Sequence, residues 1–231
     1  EQITSKTFIH TQNTMRDSDG HGHPGPETKG KSALLTIKTD SGYEGHIVAS
    51  PSDVNDTLLD RFIRPNLIGQ DPMCTDALWY KIYKWQRLSG QLLTDRMLSA
   101  VDLALWDLKG KICQQPVWKL IGGYRPKILA YGSTMCGDDL ENGLATPEDY
   151  AHFATWMVQT RGYKGVKLHG WMPPMPGAPD VRKDYKACAA VREAVGPEIP
   201  LMLDPHHFYS RSEALWLANK LVELDFSWIE E

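Results

Sequence analysis

Gly165-Val166-Lys167-Leu168-His169, Pro200-Leu201-Met202-Leu203-Asp204 and Phe226-Ser227-Trp228-Ile229-Glu230 are three short apolar runs, each ending on an ionisable residue. Between them lie two segments with helical spacing, Asp180 to Val195, stopped by Gly196-Pro197, and Ser210 to Leu224. Upstream, Ile128-Leu129-Ala130-Tyr131 reads as another short strand. Thr146-Pro147-Glu148-Asp149 then opens a helix with Pro at its first position, running to Arg161 before Gly162. Strand and helix alternate, as in a parallel sheet covered by helices. A doubly wound sheet and a (β/α)8 barrel both fit. No G-x-G-x-x-G follows the first strand, which weakens a dinucleotide-binding reading. The polar residues stand at the C-terminal strand ends, where barrel enzymes keep their chemistry. A whole barrel takes ~250 residues. Residues 128–231 supply four strands and three helices. They are expected to be the first half of a barrel, and the sequence is expected to be truncated.

Residues 1–125 have another rhythm and are expected to form a separate domain, with the barrel half at 126–231. Thr14 to Lys31 holds Gly20, Gly22, Pro24, Gly25, Pro26 and Gly30, which predicts a long polar loop. Ala33 to Thr39 and Tyr43 to Val48 flank Asp40-Ser41-Gly42 and read as a β-hairpin. Residues 53–120 read as helical. Leu58, Leu59, Phe62 and Ile63 make one stripe, expected to stop at Pro65; Leu78, Ile82 and Trp85 make a second. The clearest helix runs from about Asp95 to Lys111, with Met97, Ala100, Val101, Ala104, Leu105 and Leu108 on one side. Strands followed by helices indicate an α+β unit.

Composition narrows the class. The apolar fraction is 42% and the charged fraction 23%, as in ordinary globular chains. A net charge of -4 argues against nucleic-acid binding, which calls for a basic surplus. No apolar run approaches the ~20 residues of a membrane-spanning helix. Cys74, Cys113, Cys136 and Cys188 form no C-x-x-C pair, which excludes a zinc ribbon and fits a reduced, cytoplasmic protein. No signal-peptide pattern follows Glu1, and the N-terminus is expected to be trimmed.

Lys167 and His169 are two apart on one strand and so share a face, while Val166 and Leu168 point toward covering helices. A lysine inside a barrel requires an anion nearby or a lowered pKa. Asp204 ends the next strand and Glu230 the one after; alternation turns Glu230 inward, with Phe226 and Trp228 on its face. Carboxylates from neighbouring strands suit a hard cation, and Mg²⁺ fits. A cation beside a lysine and a histidine can stabilise an enolate while one of them moves a proton, a pattern known from the enolase superfamily. His206, His207 and Tyr209 follow Asp204 and could line a pocket, and His21 and His23 sit in the Gly-rich loop. The helical Met and Trp residues read as core.

The chain resembles the mandelate racemase and muconate lactonizing enzyme family of the enolase superfamily over nearly its whole length. Ser99 to Lys111, Ser-Ala-Val-Asp-Leu-Ala-Leu-Trp-Asp-Leu-Lys-Gly-Lys, is similar to the family's characteristic helix, continuing through Pro116-Val117 to Leu120-Ile121-Gly122-Gly123. Met97 stands where the family usually has Ala. The resemblance implies an α+β capping domain followed by a modified (β/α) TIM barrel, of which only about the first half is in this chain. It implies Mg²⁺ held by Asp204, by Glu230 and by a third carboxylate beyond the end of this chain. It places Lys167 at the first lysine of a Lys-x-Lys motif, facing the substrate carboxylate, and His169 where the catalytic lysine usually stands. His169 is expected to act as acid or base, or else a family-type His–Asp dyad beyond this chain takes the main proton. The loop from Arg16 to Lys31 corresponds to the capping loop.

These implications predict an enzyme: a Mg²⁺-dependent lyase that removes the proton alpha to a carboxylate and dehydrates a sugar acid to a 2-keto-3-deoxy acid. A polar loop with Arg16, Asp17, Asp19, His21 and His23 suits a substrate rich in hydroxyls. Lys167 and His169 are the expected catalytic residues, Asp204 and Glu230 the metal ligands, and Arg16, His21, His23 and His206 the substrate-binding residues. A racemase or epimerase, a cycloisomerase and a non-catalytic metal-binding relative are the alternatives. The expected partners are a small-molecule carboxylate and further copies of the chain in a homo-oligomer, with no nucleic acid and no membrane.

Overall fold

A computed structural model describes residues 1–16, 22–138, 143–173 and 175–230. The chain divides into two compact units, one of Glu1–Gln12 with Lys29–Pro126, the other of Asn13–Thr28 with Lys127–Glu231.

The first unit is built on a sheet of order β1-β2-β3, with β1 at Gln2–Arg16, β2 at Gly22–Lys38 and β3 at Glu44–Ala49; the end of β1 from Asn13 and the start of β2 up to Thr28 are grouped with the second unit. The expected hairpin is present: β2 and β3 pair antiparallel from Ala33↔Ala49 to Lys38↔Glu44. Most of the expected loop from Thr14 to Lys31 is strand instead: β1 reaches Arg16 and β2 begins at Gly22, while Asp17, Ser18, Asp19, Gly20 and His21 lie outside the described residues. Pairing with β3 starts only at Ala33, so Pro24 and Pro26 lie where β2 lacks that neighbour. A strand tolerates proline where no ladder bond is asked of its nitrogen.

Helices cover this sheet. α1 (Asp56–Leu58), a π-helical stretch (Leu59–Ile63) and α2 (Arg64–Leu67) form one run, with the Asn55 side chain capping its start. The run passes through Pro65 rather than stopping at it. Proline has no N–H for the preceding turn, and a π turn in front of it, closed by Arg64 N–H to Leu59 O, absorbs the missing bond. α3 (Thr75–Gln86) buries Leu78 and Ile82 but leaves Trp85 exposed. α4 (Asp95–Cys113) starts at a Thr94 cap and buries every residue of its expected stripe; the short α5 (Val117–Leu120) follows. Leu35, Ile37, Ile63, Ile82 and the α4 stripe form one core. α4 crosses β3 at Gly45, where an added methyl would strike the Ala104 carbonyl.

The second unit holds a parallel sheet of order β4-β5-β6-β7: Gly132–Ser133, Val166–His169, Leu201–Asp204 and Phe226–Ile229. Its helices are α6 (Pro147–Gln159), α7 (Val181–Val195) and α8 (Arg211–Glu223). This is half the strand count of a barrel. Thr146 with Asp149, and Ser210 with Glu213, form capping boxes, and the Asp180 side chain caps α7. The expected strand at Ile128–Tyr131 is displaced to Gly132–Ser133, and Ile128 and Leu129 are exposed. Gly132 N–H bonds Gly165 O, and Met157 and Tyr163 close over Gly132 so tightly that a side chain would not fit. The sheet therefore begins where the chain has no side chain.

Val166, Leu168, Leu201 and Leu203 face the helices and pack with Ala154, Met157, Cys188, Val191 and Leu217. β7 departs from strict alternation. Leu201 pairs with Phe226, yet Met202 pairs with Trp228, so a bulge falls at Ser227. Phe226 and Ile229 thereby both pack on the helix-side core, and Trp228 alone joins Met202 on the inner face. At the N-terminal end of the sheet, the Arg192 guanidinium donates to the carbonyls of Gly196, Ile199, Leu224 and Asp225.

Candidate active site

The inner face of the parallel sheet carries the candidate chemistry at the C-terminal strand ends. Register sets Lys167 beside Met202 and His169 beside Asp204. Lys167 is buried at 8% exposure, and its Nζ lies 2.8 Å from Asp204 Oδ2 and 2.9 Å from Glu230 Oε2. Of the two possibilities open for this lysine, a nearby anion is therefore the one realised. Burial alone would lower its pKa, but the hydrogen bonds and charges of Asp204 and Glu230 outweigh it and push the value up to about 12. Burial likewise works to raise the Asp204 carboxyl. Hydrogen bonding to Lys167, with the His169 and Lys167 charges, wins and holds it below the usual range.

His169 is held from three sides. Its backbone N–H donates to Thr134 Oγ1 at 2.9 Å, and its carbonyl accepts from Tyr150 Oη at 2.9 Å. Its Nδ1 lies 2.8 Å from Thr134 O. A carbonyl only accepts, so Nδ1 carries the hydrogen, and Nε2 is the atom free to take or give a proton. Nε2 lies 3.1 Å from Asp204 Oδ2. Burial pushes the imidazole below its usual pKa, more than the Asp204 charge raises it.

The loop after β6 is wound tightly. His206 and His207 both have left-handed backbones, φ +50° and +49°, and His206 N–H donates to Asp204 Oδ1 at 3.1 Å. Such conformations in non-glycine residues cluster at functional sites.

Four of the eight residues singled out in the sequence thus converge: Lys167, His169, Asp204 and Glu230. His206 adjoins them through its backbone. His21 lies outside the described residues, as do the side chains of Arg16 and His23. Sequence reasoning missed Thr134 and Asp184. Thr134 carries no signal in a stretch without periodicity. Asp184 did carry one: with Val181, Cys188 and Val191 it occupies the buried stripe of α7, where an acid is out of place.

Two hard carboxylate oxygens converge here on one cationic nitrogen, which is a donor set suited to a divalent cation such as Mg²⁺. Among the described residues, no three His, Cys, Asp or Glu side chains are grouped to hold a metal.

Residues 23–122 match the mandelate racemase / muconate lactonizing enzyme N-terminal domain, and residues 149–231 match the enolase C-terminal domain-like family. The chain belongs to the mandelate racemase / muconate lactonizing enzyme family of the enolase superfamily. The structure of D-glucarate dehydratase from Agrobacterium tumefaciens, complexed with magnesium, is a family neighbour at 54% identity and a TM-score of 0.91. It is matched over 100% of this chain and 60% of its own. The arabinonate dehydratase of Saccharolobus solfataricus is 30% identical over 84% of this chain and 50% of its own. The 3,6-anhydro-alpha-L-galactonate cycloisomerase of Streptomyces coelicolor is 34% identical over 76% of this chain and 45% of its own. The chain thus spans about half the length of these curated relatives. Among the described residues, no helix is long and apolar enough to cross a membrane.

Proposed function

We propose that the protein is a Mg²⁺-dependent lyase that removes the proton alpha to the carboxylate of a sugar acid and expels the beta hydroxyl, leaving a 2-keto-3-deoxy acid. One observation carries the reading: two carboxylates from adjacent strand ends share one cation beside a histidine whose Nδ1 is held by a backbone carbonyl and whose Nε2 faces one of those carboxylates. The similarity to sugar-acid dehydratases supports this choice of reaction within the family.

Asp204 and Glu230 would hold the metal. When bound, Mg²⁺ supplies positive charge against the negative charge that develops on the substrate carboxylate as the alpha proton leaves. Lys167 balances charge on that carboxylate. His169 moves a proton at Nε2, with Nδ1–H tied to Thr134 O so that the tautomer is fixed. In the overall change the alpha C–H and beta C–O bonds break, water departs with the proton and the hydroxyl, and the enol that remains becomes the ketone.

The test is to incubate the intact protein with Mg²⁺ and a library of sugar acids in D₂O. Exchange of an alpha proton together with a semicarbazide-reactive 2-keto acid is the expected result. Exchange that returns an epimer would make it a racemase or epimerase, and a cyclised isomer would make it a cycloisomerase. No exchange on any acid would leave a non-catalytic relative.

A further inference from the structure

Asp184 is a carboxylate at 3% exposure on α7, inside a stripe that is otherwise apolar. Its Oδ1 accepts the Trp171 N–H at 2.7 Å, and its Oδ2 accepts the Tyr209 hydroxyl. Gly170 backs directly onto it, and a methyl at Gly170 would lie 2.5 Å from Oδ2. These contacts fall on two particular segments. Gly170-Trp171 follows His169 at the end of β5, and Tyr209 closes the loop that begins at Asp204. Other bonds complete the hold on the first segment: Thr134 Oγ1 to His169 N–H, Tyr150 Oη to His169 O, and Gly137 N–H to Gly170 O.

Burying a carboxylate at such a position is unfavourable for stability, because an apolar side chain of similar volume would suit the core as well or better. What the carboxylate offers instead is two acceptor oxygens with a fixed separation. They tie the backbone beside His169 to the loop beside Asp204.

We propose that Asp184 is a positioning residue: by bracing Trp171 and Tyr209 it sets the placement of His169 relative to Asp204. It touches no substrate. The proposal rests on the reading of His169 and Asp204 given above. A displacement of about 1 Å at reacting groups can cost on the order of 100-fold in rate.

The experiment compares Asp184→Ala, Asp184→Asn and Tyr209→Phe in the intact protein. Asn keeps an oxygen for Trp171 N–H and can donate its amide to the Tyr209 oxygen, so both links survive. Asp184→Ala is expected to lower kcat by ~30–100-fold, on the scale a misplacement of this size produces, with KM within about threefold and folding intact by circular dichroism. Asp184→Asn is expected to return to within about fivefold of wild type, and Tyr209→Phe to fall between. A folded Asp184→Ala protein with kcat within twofold of wild type would overturn the proposal. If Asp184→Ala does not fold, Tyr209→Phe decides, and an unchanged kcat there overturns it equally. If the wild type turns over no sugar acid, the functional reading fails by itself. Crystal structures of the wild type and Tyr209→Phe then decide: a shifted His169 ring upholds the bracing role, and an unmoved ring removes it.

Discussion

Lys167→Met removes the shared cation while keeping most of the side-chain volume. In the wild type, Nζ is 2.8 Å from Asp204 Oδ2 and 2.9 Å from Glu230 Oε2, so the two carboxylate oxygens are within about 6 Å of one another. At an effective dielectric of ~20, two charges at that distance repel by about 3 kcal/mol. The Lys167–Asp204 attraction is larger in gross terms, but desolvation cancels part of it; breaking a buried pair typically costs about 3–5 kcal/mol. Glu230 is 41% exposed, and its arm adds little after solvent screening. We expect a net loss of about 3–4 kcal/mol, which for a chain this size lowers Tm by about 6–15 °C. The assay is thermal unfolding in chelator and again with millimolar Mg²⁺. Because the variant leaves two anions facing one another, Mg²⁺ should raise its Tm more than that of the wild type. Turnover should be lost in both buffers. A Lys167→Met protein that melts within 2 °C of wild type in chelator would refute the electrostatic account of this cluster.

His169→Asn can keep the hydrogen bond to Thr134 O but has no atom at Nε2. It should therefore lose turnover by ~10²–10⁴ while binding persists, and a loss within about tenfold would exclude general acid–base catalysis by this residue. Gly45→Ala should destabilise by at least about 2 kcal/mol, because a methyl there would meet the Ala104 carbonyl and lie 2.6 Å from Leu108 Cβ; an unchanged melting curve would deny the close approach of α4 to β3. Burial raises the Asp184 carboxyl to about 6, with Tyr209 and Trp171 hydrogen bonds opposing, Asp180 adding to the rise and Lys183 reducing it. A carboxyl with a raised native pKa gives stability that is full below ~4 and lost as pH rises through about 6. Melting of Asp184→Asn should thus gain on wild type by up to about 3 kcal/mol between pH 4 and 7.5, and a constant difference would show that the carboxyl titrates normally.

The residues of the candidate site were legible because strand geometry has a short period. Lys167 and His169 had to share a face, and Asp204 and Glu230 had to end their strands where they do. The same rule misplaced Phe226, since period 2 holds only without a bulge, and nothing in Phe226-Ser227-Trp228 announces one. Pro65 misled for a related reason: a stop signal is local, while a π turn five residues long can accommodate it. Gly and Pro between Gly22 and Gly30 predicted a loop from intrinsic preference, which strand pairing overrode. The bracing of His169 by Thr134, Tyr150 and Asp184 depends on contacts between residues 13 to 35 positions apart, and periodicity carries no information about those.

Arg192 gives the two ends of the parallel sheet different evolutionary freedoms. One guanidinium closes the N-terminal end by gathering four carbonyls, while every ionisable residue of the candidate site stands at the opposite end. Lysine cannot replace that planar fork, so this position is closed even to the nearest conservative exchange. In barrel enzymes generally, the lower loops serve stability and the upper loops carry the chemistry, and the candidate site here lies wholly at the upper end. An engineer can therefore treat the two rims as separate design problems, with Arg192 and Gly132 among the lower-rim residues to leave alone.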